Sequence, residues 1–138
     1  MTGVQTCALP IYRRKPWDEL FFDRGFDAPL AREAAGTHAA ALEMVRLAPS
    51  ASNNQPWRIV REKGGGRFHF YIQRTKNYRE RWAFIGTADL QRVDMGIAMC
   101  HFEAAARGAG MSGSWTVLDP GLTVRDTLCE YTATWLEE

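Results

Sequence analysis

Two prolines bracket a short polar run, Pro49-Ser50-Ala51-Ser52-Asn53-Asn54-Gln55-Pro56, and between them they fix where one kind of backbone ends and another begins. Pro49 disfavours a helical residue before it and cannot donate its own N–H, so a helix running up to it must stop. The stretch upstream, from about Arg32 to Leu47, predicts that helix: Ala39, Leu42 and Val45 recur at helical spacing with alanine-rich filler between them. Downstream, Trp57 to Arg61 reads as a strand and Gly64-Gly65-Gly66 as a turn. Arg67 to Gln73 then returns with Phe68, Phe70 and Ile72 on one face. Helix, pinned polar loop and β-hairpin therefore follow one another.

The longest periodic segment, Ala88 to Gly108, predicts a second helix. Leu90, Val93, Ile97, Cys100 and Ala104 trace the face expected to be buried, flanked by Ala98, His101 and Ala105. Its many small residues would let another helix approach closely, and Gly108 and Gly110 close it. Ser114 to Leu118 and Leu128 to Leu136 alternate as strands around the Pro120-Gly121 turn, whereas Thr75 to Trp82 has no clear period and reads as loop or short helix. Before all this, Tyr12 to Phe22 is basic and then apolar, as a connecting arm would be, and Gly25 and Pro29 mark Asp23 to Leu30 as a loop. The order implies an α+β fold, an antiparallel-containing sheet packed with helices.

At 138 residues and 46% hydrophobic, the chain suits one domain or part of one. A net charge of +1 gives no footprint for nucleic acid, and Arg13-Arg14-Lys15 is too short to supply one. Cys7, Cys100 and Cys129 show no zinc or disulfide spacing, so no metal site is expected and a reducing cytoplasm fits best. No apolar stretch approaches the ~20 residues that span a bilayer, and no membrane partner is expected. Residues 1–11 resemble the translation of a sequencing adapter more than natural protein, and they are set aside with Cys7 as one would a cloning scar.

The polar loop is the richest chemical feature. Two hydroxyls, Ser50 and Ser52, and three amides, Asn53, Asn54 and Gln55, stand on a segment pinned at both ends. On residue chemistry alone, a connector whose polar groups satisfy their own backbone is the commoner reading. A rigid, uncharged donor and acceptor surface for a heteroaromatic ring edge is the other. Asp94 and His101, seven apart on one helix, read as a buried histidine with a structural partner, and Cys100, Trp115 and Trp135 read as core.

Ala48 to Trp57 resembles the A-P-S-x-x-N-x-Q-P-W segment of the FMN-dependent nitroreductase family. Arg13-Arg14-Lys15-Pro16-Trp17-Asp18-Glu19-Leu20 is similar to the R-K-P-x-E-E-L stretch near the end of many such domains, with Asp18 at an acidic position. Leu90 to Phe102, L-Q-R-V-D-M-G-I-A-M-C-H-F, resembles a helix of a fused branch in which two nitroreductase-like halves share one chain and mimic the usual homodimer.

The resemblance implies a flavin at the interface of two protomers or halves, reached by this loop. By it, Pro49, Ser50, Ser52, Asn53 and Gln55 are flavin contacts. Arg14, with Arg13 second, meets the FMN phosphate, where a guanidinium offers a fork of donors. Trp57 packs in the core. Residues 32–138 correspond to the second half and 12–31 to the arm joining it to a first half that this sequence does not include. The expected activity is that of an FMN-dependent NAD(P)H oxidoreductase acting on nitroaromatic or quinone-like acceptors, with no catalytic side chain required and with its partner a second copy or the missing half. The alternative is a non-enzymatic dimerisation or interaction domain without flavin.

Overall fold

A computed structural model describes residues 13–83, 86 and 88–138. The adapter-like leader and its Cys7 lie outside the described residues. The fold is α+β: helices stand against a five-stranded mixed sheet of order β1-β2-β3-β5-β4. In chain order the elements are α1 (Trp17–Leu20), β1 (Phe21–Asp23), a 3-10 turn (Glu33–His38), α2 (Ala39–Leu47), a second 3-10 turn (Ala51–Asn53), β2 (Trp57–Arg61) and β3 (Arg67–Gln73). α3 (Tyr78–Ala83), α4 (Leu90–Gly108), β4 (Gly113–Thr116) and β5 (Cys129–Glu137) complete it.

The hairpin expected from the alternation is present with its expected limits, Trp57 opposite Ile72 and Arg61 opposite Phe68. Pleating sends Ile59, Phe68, Phe70 and Ile72 to one face, where they meet Leu42 and Val45 of α2, Met95 and Phe102 of α4, and Trp57 and Trp135. The opposite face carries a smaller cluster, Phe22, Phe26, Val60, Tyr71 and Cys129. The connecting arm is built into this body. Leu20, Phe21 and Phe22 are fully buried, β1 pairs parallel with β2, and Trp17 donates its indole N–H to the Leu30 carbonyl at 2.7 Å.

Three expectations are corrected. The helix over Arg32 to Leu47 is interrupted, because Gly36 takes φ 55° and ψ −128°, a region open essentially to glycine alone; it lies inside the tighter 3-10 stretch Glu33–His38, and only the residues from Ala39 on are α-helical. The strand before Pro120 ends at Thr116, leaving Val117 and Leu118 exposed. The third correction concerns the phase of α4. Its buried face is Gln91, Asp94, Met95, Ala98, Phe102 and Ala106, while Val93 is 52% exposed and Cys100, expected in the core, is exposed as well.

The reason is area. Burying a Phe or Met side chain stabilises by roughly 1.5–3 kcal/mol, and the observed phase sinks Phe102 and Met95 into the core while leaving only the smaller Val93 and Cys100 outside. Phe102 packs against Phe68, Phe70 and Trp135 at ring separations of 5.3, 5.4 and 5.8 Å.

This phase predicts a contrast. Phe102→Ala should cost about 3–5 kcal/mol through the cavity it leaves, whereas Cys100→Ala should stay within about 0.5 kcal/mol of the parent. Urea unfolding of both variants checks it; equal losses would mean that α4 is rotated from the phase described.

Candidate functional site

The polar loop begins where α2 ends. Ala48 is already extended at φ −60° and ψ 145°, as a residue before proline must be. From there the chain takes an expensive path, because Ser52, Asn53 and Gln55 adopt left-handed backbone at φ 53°, 53° and 48°. Asparagine tolerates that region, but for serine and glutamine the cost is roughly 1–2 kcal/mol each. Something must therefore hold the loop.

Several hydrogen bonds do so, and four stand out. Ser50 Oγ accepts from the Gln55 N–H at 2.9 Å, the Ser50 carbonyl accepts from the Asn53 N–H at 3.0 Å, and Gln55 Nε2 donates to the Asn53 carbonyl at 3.1 Å. The fourth comes from α4, where Asp94 Oδ1 accepts from the Ala51 N–H at 3.0 Å.

The basic arm supplies the other hold, and here two segments about forty residues apart become one unit. Gln55, only 2% exposed, turns its amide entirely toward the protein: Oε1 accepts from the Lys15 N–H at 2.8 Å, and Nε2 donates to the Arg13 carbonyl at 3.1 Å. Asn53 Nδ2 donates to the same carbonyl at 3.3 Å, and Arg14 Nη1 donates to Asn53 Oδ1 at 2.7 Å. Below the loop, Arg58 Nη1 donates to the carbonyls of Gln55 and Trp57.

Each residue singled out from sequence thus has a place. Ser50, Asn53 and Gln55 form the loop's internal frame, with Ser50 and Gln55 buried and Asn53 half-buried. Pro49 and Ser52 are exposed at its surface, Ser52 Oγ lying 3.5 Å from the Tyr78 hydroxyl. Arg14 is half-buried beside Asn53, and Arg13 is exposed with its carbonyl bound to the loop. Trp57 is fully buried, as expected.

Charge at this junction is positive and partly dehydrated. Burial, and then the neighbouring Arg46 guanidinium, hold Arg14 below the ordinary arginine value. Arg46 is itself anchored by Glu43, whose carboxylate receives its Nε at 3.1 Å and its Nη2 at 2.7 Å and raises its pKa. Arg46 is thus compensated by Glu43, and the guanidinium of Arg14, half-buried beside Asn53, is the donor group this junction offers to an anion such as a phosphate.

Several buried polar atoms here also have no protein partner: Arg14 Nε, Asn54 Nδ2, Asp94 Oδ2 and Trp57 Nε1. Native interiors leave few such atoms unpaired, and their concentration around one loop marks where a polar group would complete the bonding.

Sequence reasoning did not place Arg46, Tyr78 or Asp94 at this site. The helical spacing pairs Asp94 with His101, yet the two do not meet; His101 is half-buried, and its Nδ1 lies 2.9 Å from the Ile97 carbonyl. The legible signal for Asp94 was an acid on the buried side of an apolar helix. No group of three metal-binding side chains comes together among the described residues, and no helix among them is long and apolar enough to cross a membrane.

A family model described as "Putative TM nitroreductase" matches residues 13–106, about two thirds of the chain, and its span takes in the arm, the loop and most of α4. No curated protein matches the chain.

Asp94 gives the junction a pH dependence. Burial pushes its carboxyl up from 3.8 to about 6, with the Ala51 N–H opposing and Asp89 adding to the rise. A folded-state value above the unfolded one means the fold binds the proton more tightly. Its contribution to stability is therefore full below the unfolded value and lost as pH rises through about 6. Asp94→Asn, neutral throughout and still able to accept from Ala51, should be roughly 1–3 kcal/mol more stable than the parent at about pH 8, with the gap closing toward about pH 4. Denaturant titrations across that range test it, and a gap that does not change with pH would clear Asp94 of the effect.

Proposed function

The chain belongs to the nitroreductase family, whose general kind is oxidoreductase, and from that premise we propose that it contributes half of a flavin site in an FMN-dependent NAD(P)H oxidoreductase acting on nitroaromatic or quinone-like acceptors. One observation carries this reading: the two segments expected to meet FMN, Arg13–Lys15 and Ser50–Gln55, are hydrogen-bonded directly to each other, with Arg14 on Asn53 at 2.7 Å. A connector alone has no need of a half-buried guanidinium beside a second one.

In this reading Arg14, with Arg46 behind it and Arg13 at the rim, holds the phosphate. Pro49, Ser52 and Asn53 offer surface and polar atoms to the ring, while Ser50 and Gln55 fix the geometry of both. The unpaired buried atoms of Arg14 and Asn54 fit a bound polar group at this place. When bound, the flavin supplies the hydride chemistry, taken from NAD(P)H and passed on to an acceptor. The chain's own residues orient the ring, hold its phosphate and exclude water; none has to serve as nucleophile or base. Residues 32–138 act as the second half-domain and 12–31 as the arm. A first half or a second copy of this chain completes the site.

A second reading, a pairing module without flavin, is favoured by one feature: the small-residue side of α4 is uncovered, with Val93 at 52% and Met44 of α2 at 40% exposure. Both readings expect self-association, so flavin separates them.

The chain, mixed with FMN and desalted, is expected to keep flavin absorbance. In fluorescence titrations Asn53→Ala should weaken binding about ten-fold and Arg14→Ala about ten- to a hundred-fold, the range for neutral and charge-assisted hydrogen bonds. A colourless chain whose weak affinity is untouched by Arg14→Ala would sink the flavin reading and leave the pairing module.

A further inference from the structure

Asp94 sits on the buried side of α4 at 2% exposure, and a hydrogen bond ties it to the polar loop, Oδ1 accepting from the Ala51 N–H at 3.0 Å. Its other oxygen, Oδ2, is buried with no partner among the described residues. The place of that bond gives it reach. Ala51 opens the 3-10 turn Ala51–Asn53, in which Ser52 and Asn53 are left-handed, and the Ala51 carbonyl accepts from the Asn54 N–H at 3.2 Å. Asn53 in turn receives Arg14 Nη1 at 2.7 Å. A line of contacts thus runs from α4 through the turn to the guanidinium of the candidate site.

The two protonation states of Asp94 do not suit this place equally. A buried carboxylate is normally held by several donors, and a single N–H reaches this one. The neutral acid keeps the Ala51 bond and leaves one hydroxyl unpaired, a smaller penalty than a bare ion. The charged form gains further donors by admitting water between α4 and the turn. A left-handed turn loosened from its anchor relaxes, because Ser52 holds that backbone only at a cost. A negative charge at the loop also opposes a bound phosphate.

No neighbouring cation offsets that charge. On the elements packed against α4, Glu43 and Arg46 of α2 are paired with each other, Arg58 of β2 is spent on the carbonyls of Gln55 and Trp57, and Arg61 of β2 on Asp23. On β3, Arg67 pairs with Glu62 and His69 bonds to Thr134. The loop from Pro49 to Pro56 has no titratable side chain. The charge that acts on Asp94 is Asp89, the cap of the same helix, and it adds to burial in pushing the carboxyl up to about 6.

We propose that Asp94 is a positioning residue of the flavin site, setting through Ala51 the turn that carries Asn53 and Arg14, and that it does so as the neutral acid. The inference rests on the flavin reading for its ligand. Flavin binds more tightly where Asp94 keeps its proton, and bound flavin by the same coupling raises the pH at which that proton leaves.

The test titrates FMN into the whole chain by fluorescence from about pH 5 to about pH 8, in the parent, Asp94→Asn and Asp94→Ala. The parent's affinity should fall by roughly ten- to a hundred-fold over that range, the limit being set by its shrinking neutral fraction above a value of about 6. Asp94→Asn is neutral throughout and still accepts from Ala51, so its fall should be much smaller. Ionisation of the FMN phosphate and of the histidines acts on both proteins alike, and the comparison isolates Asp94. Asp94→Ala, without an acceptor, should bind about ten-fold more weakly than Asp94→Asn at every pH; should it fail to fold, the asparagine variant decides. In the flavin-free chain the backbone amides of Asn53 and Arg14, and not Ala51 alone, should shift as pH passes about 6 in the parent and stay still in Asp94→Asn. An equal fall in parent and Asp94→Asn, alanine as tight as asparagine, or amides of Asn53 and Arg14 that do not titrate would overturn the role of Asp94 and leave flavin in place. FMN bound by none of the proteins at any pH overturns the flavin reading itself, and this proposal with it.

Discussion

Gln55 joins the basic arm to the polar loop. Its buried amide accepts from the backbone of Lys15 and donates to the backbone of Arg13, while its own N–H is held by Ser50. A buried primary amide left unpaired would cost about 1–3 kcal/mol for each lost partner, so the arm cannot leave the loop cheaply. The left-handed turn at Ser52, Asn53 and Gln55 is costly in isolation and is tolerated because this lattice over-determines it. The position of Arg14 follows from the turn, since its guanidinium is placed by Asn53.

The same residue links the two faces of the sheet. Its carbonyl receives Arg58, whose guanidinium reaches a cavity beside Phe22 and Phe26, so the loop on one side and that cavity on the other share a fastening. Glu19 repeats the pattern, one carboxylate oxygen facing both the basic arm and the cavity's arginine. Neither connection is visible in the contact of any one element with its neighbour.

Much of this was legible beforehand, and the failures have a common cause. The hairpin was readable to the residue because a strand's alternation has a period of two, and a one-residue error would turn every side chain to the wrong face. The polar loop was readable because prolines leave the backbone few choices. The phase of α4 was not, because the stripe through Leu90, Val93 and Ile97 is as regular as the observed one, and only distant aromatic partners, Phe68, Phe70 and Trp135, favour the side that carries Phe102. Gly36 broke a helix whose alanines argued for continuity. Asp94, Arg46 and Tyr78 escaped because their roles depend on which distant backbone they face. No local pattern reports that an aspartate will meet the N–H of Ala51.

The parallel pairing of β1 with β2 has a consequence for how the chain comes together. Everything from Arg24 to Pro56 is a crossover between those strands, and its closure entropy must be met before β1 can pair with β2, although local contacts of the arm such as Trp17 on Leu30 form without it. In the interval the run Leu20-Phe21-Phe22, fully buried at the end, is bare and prone to pair with whatever strand it meets. The charges clustered just before and after it, Arg13, Arg14, Lys15, Asp18, Glu19, Asp23 and Arg24, act as gatekeepers during that wait. The residues that fasten the arm to the loop in the folded chain thus also flank its barest run before folding.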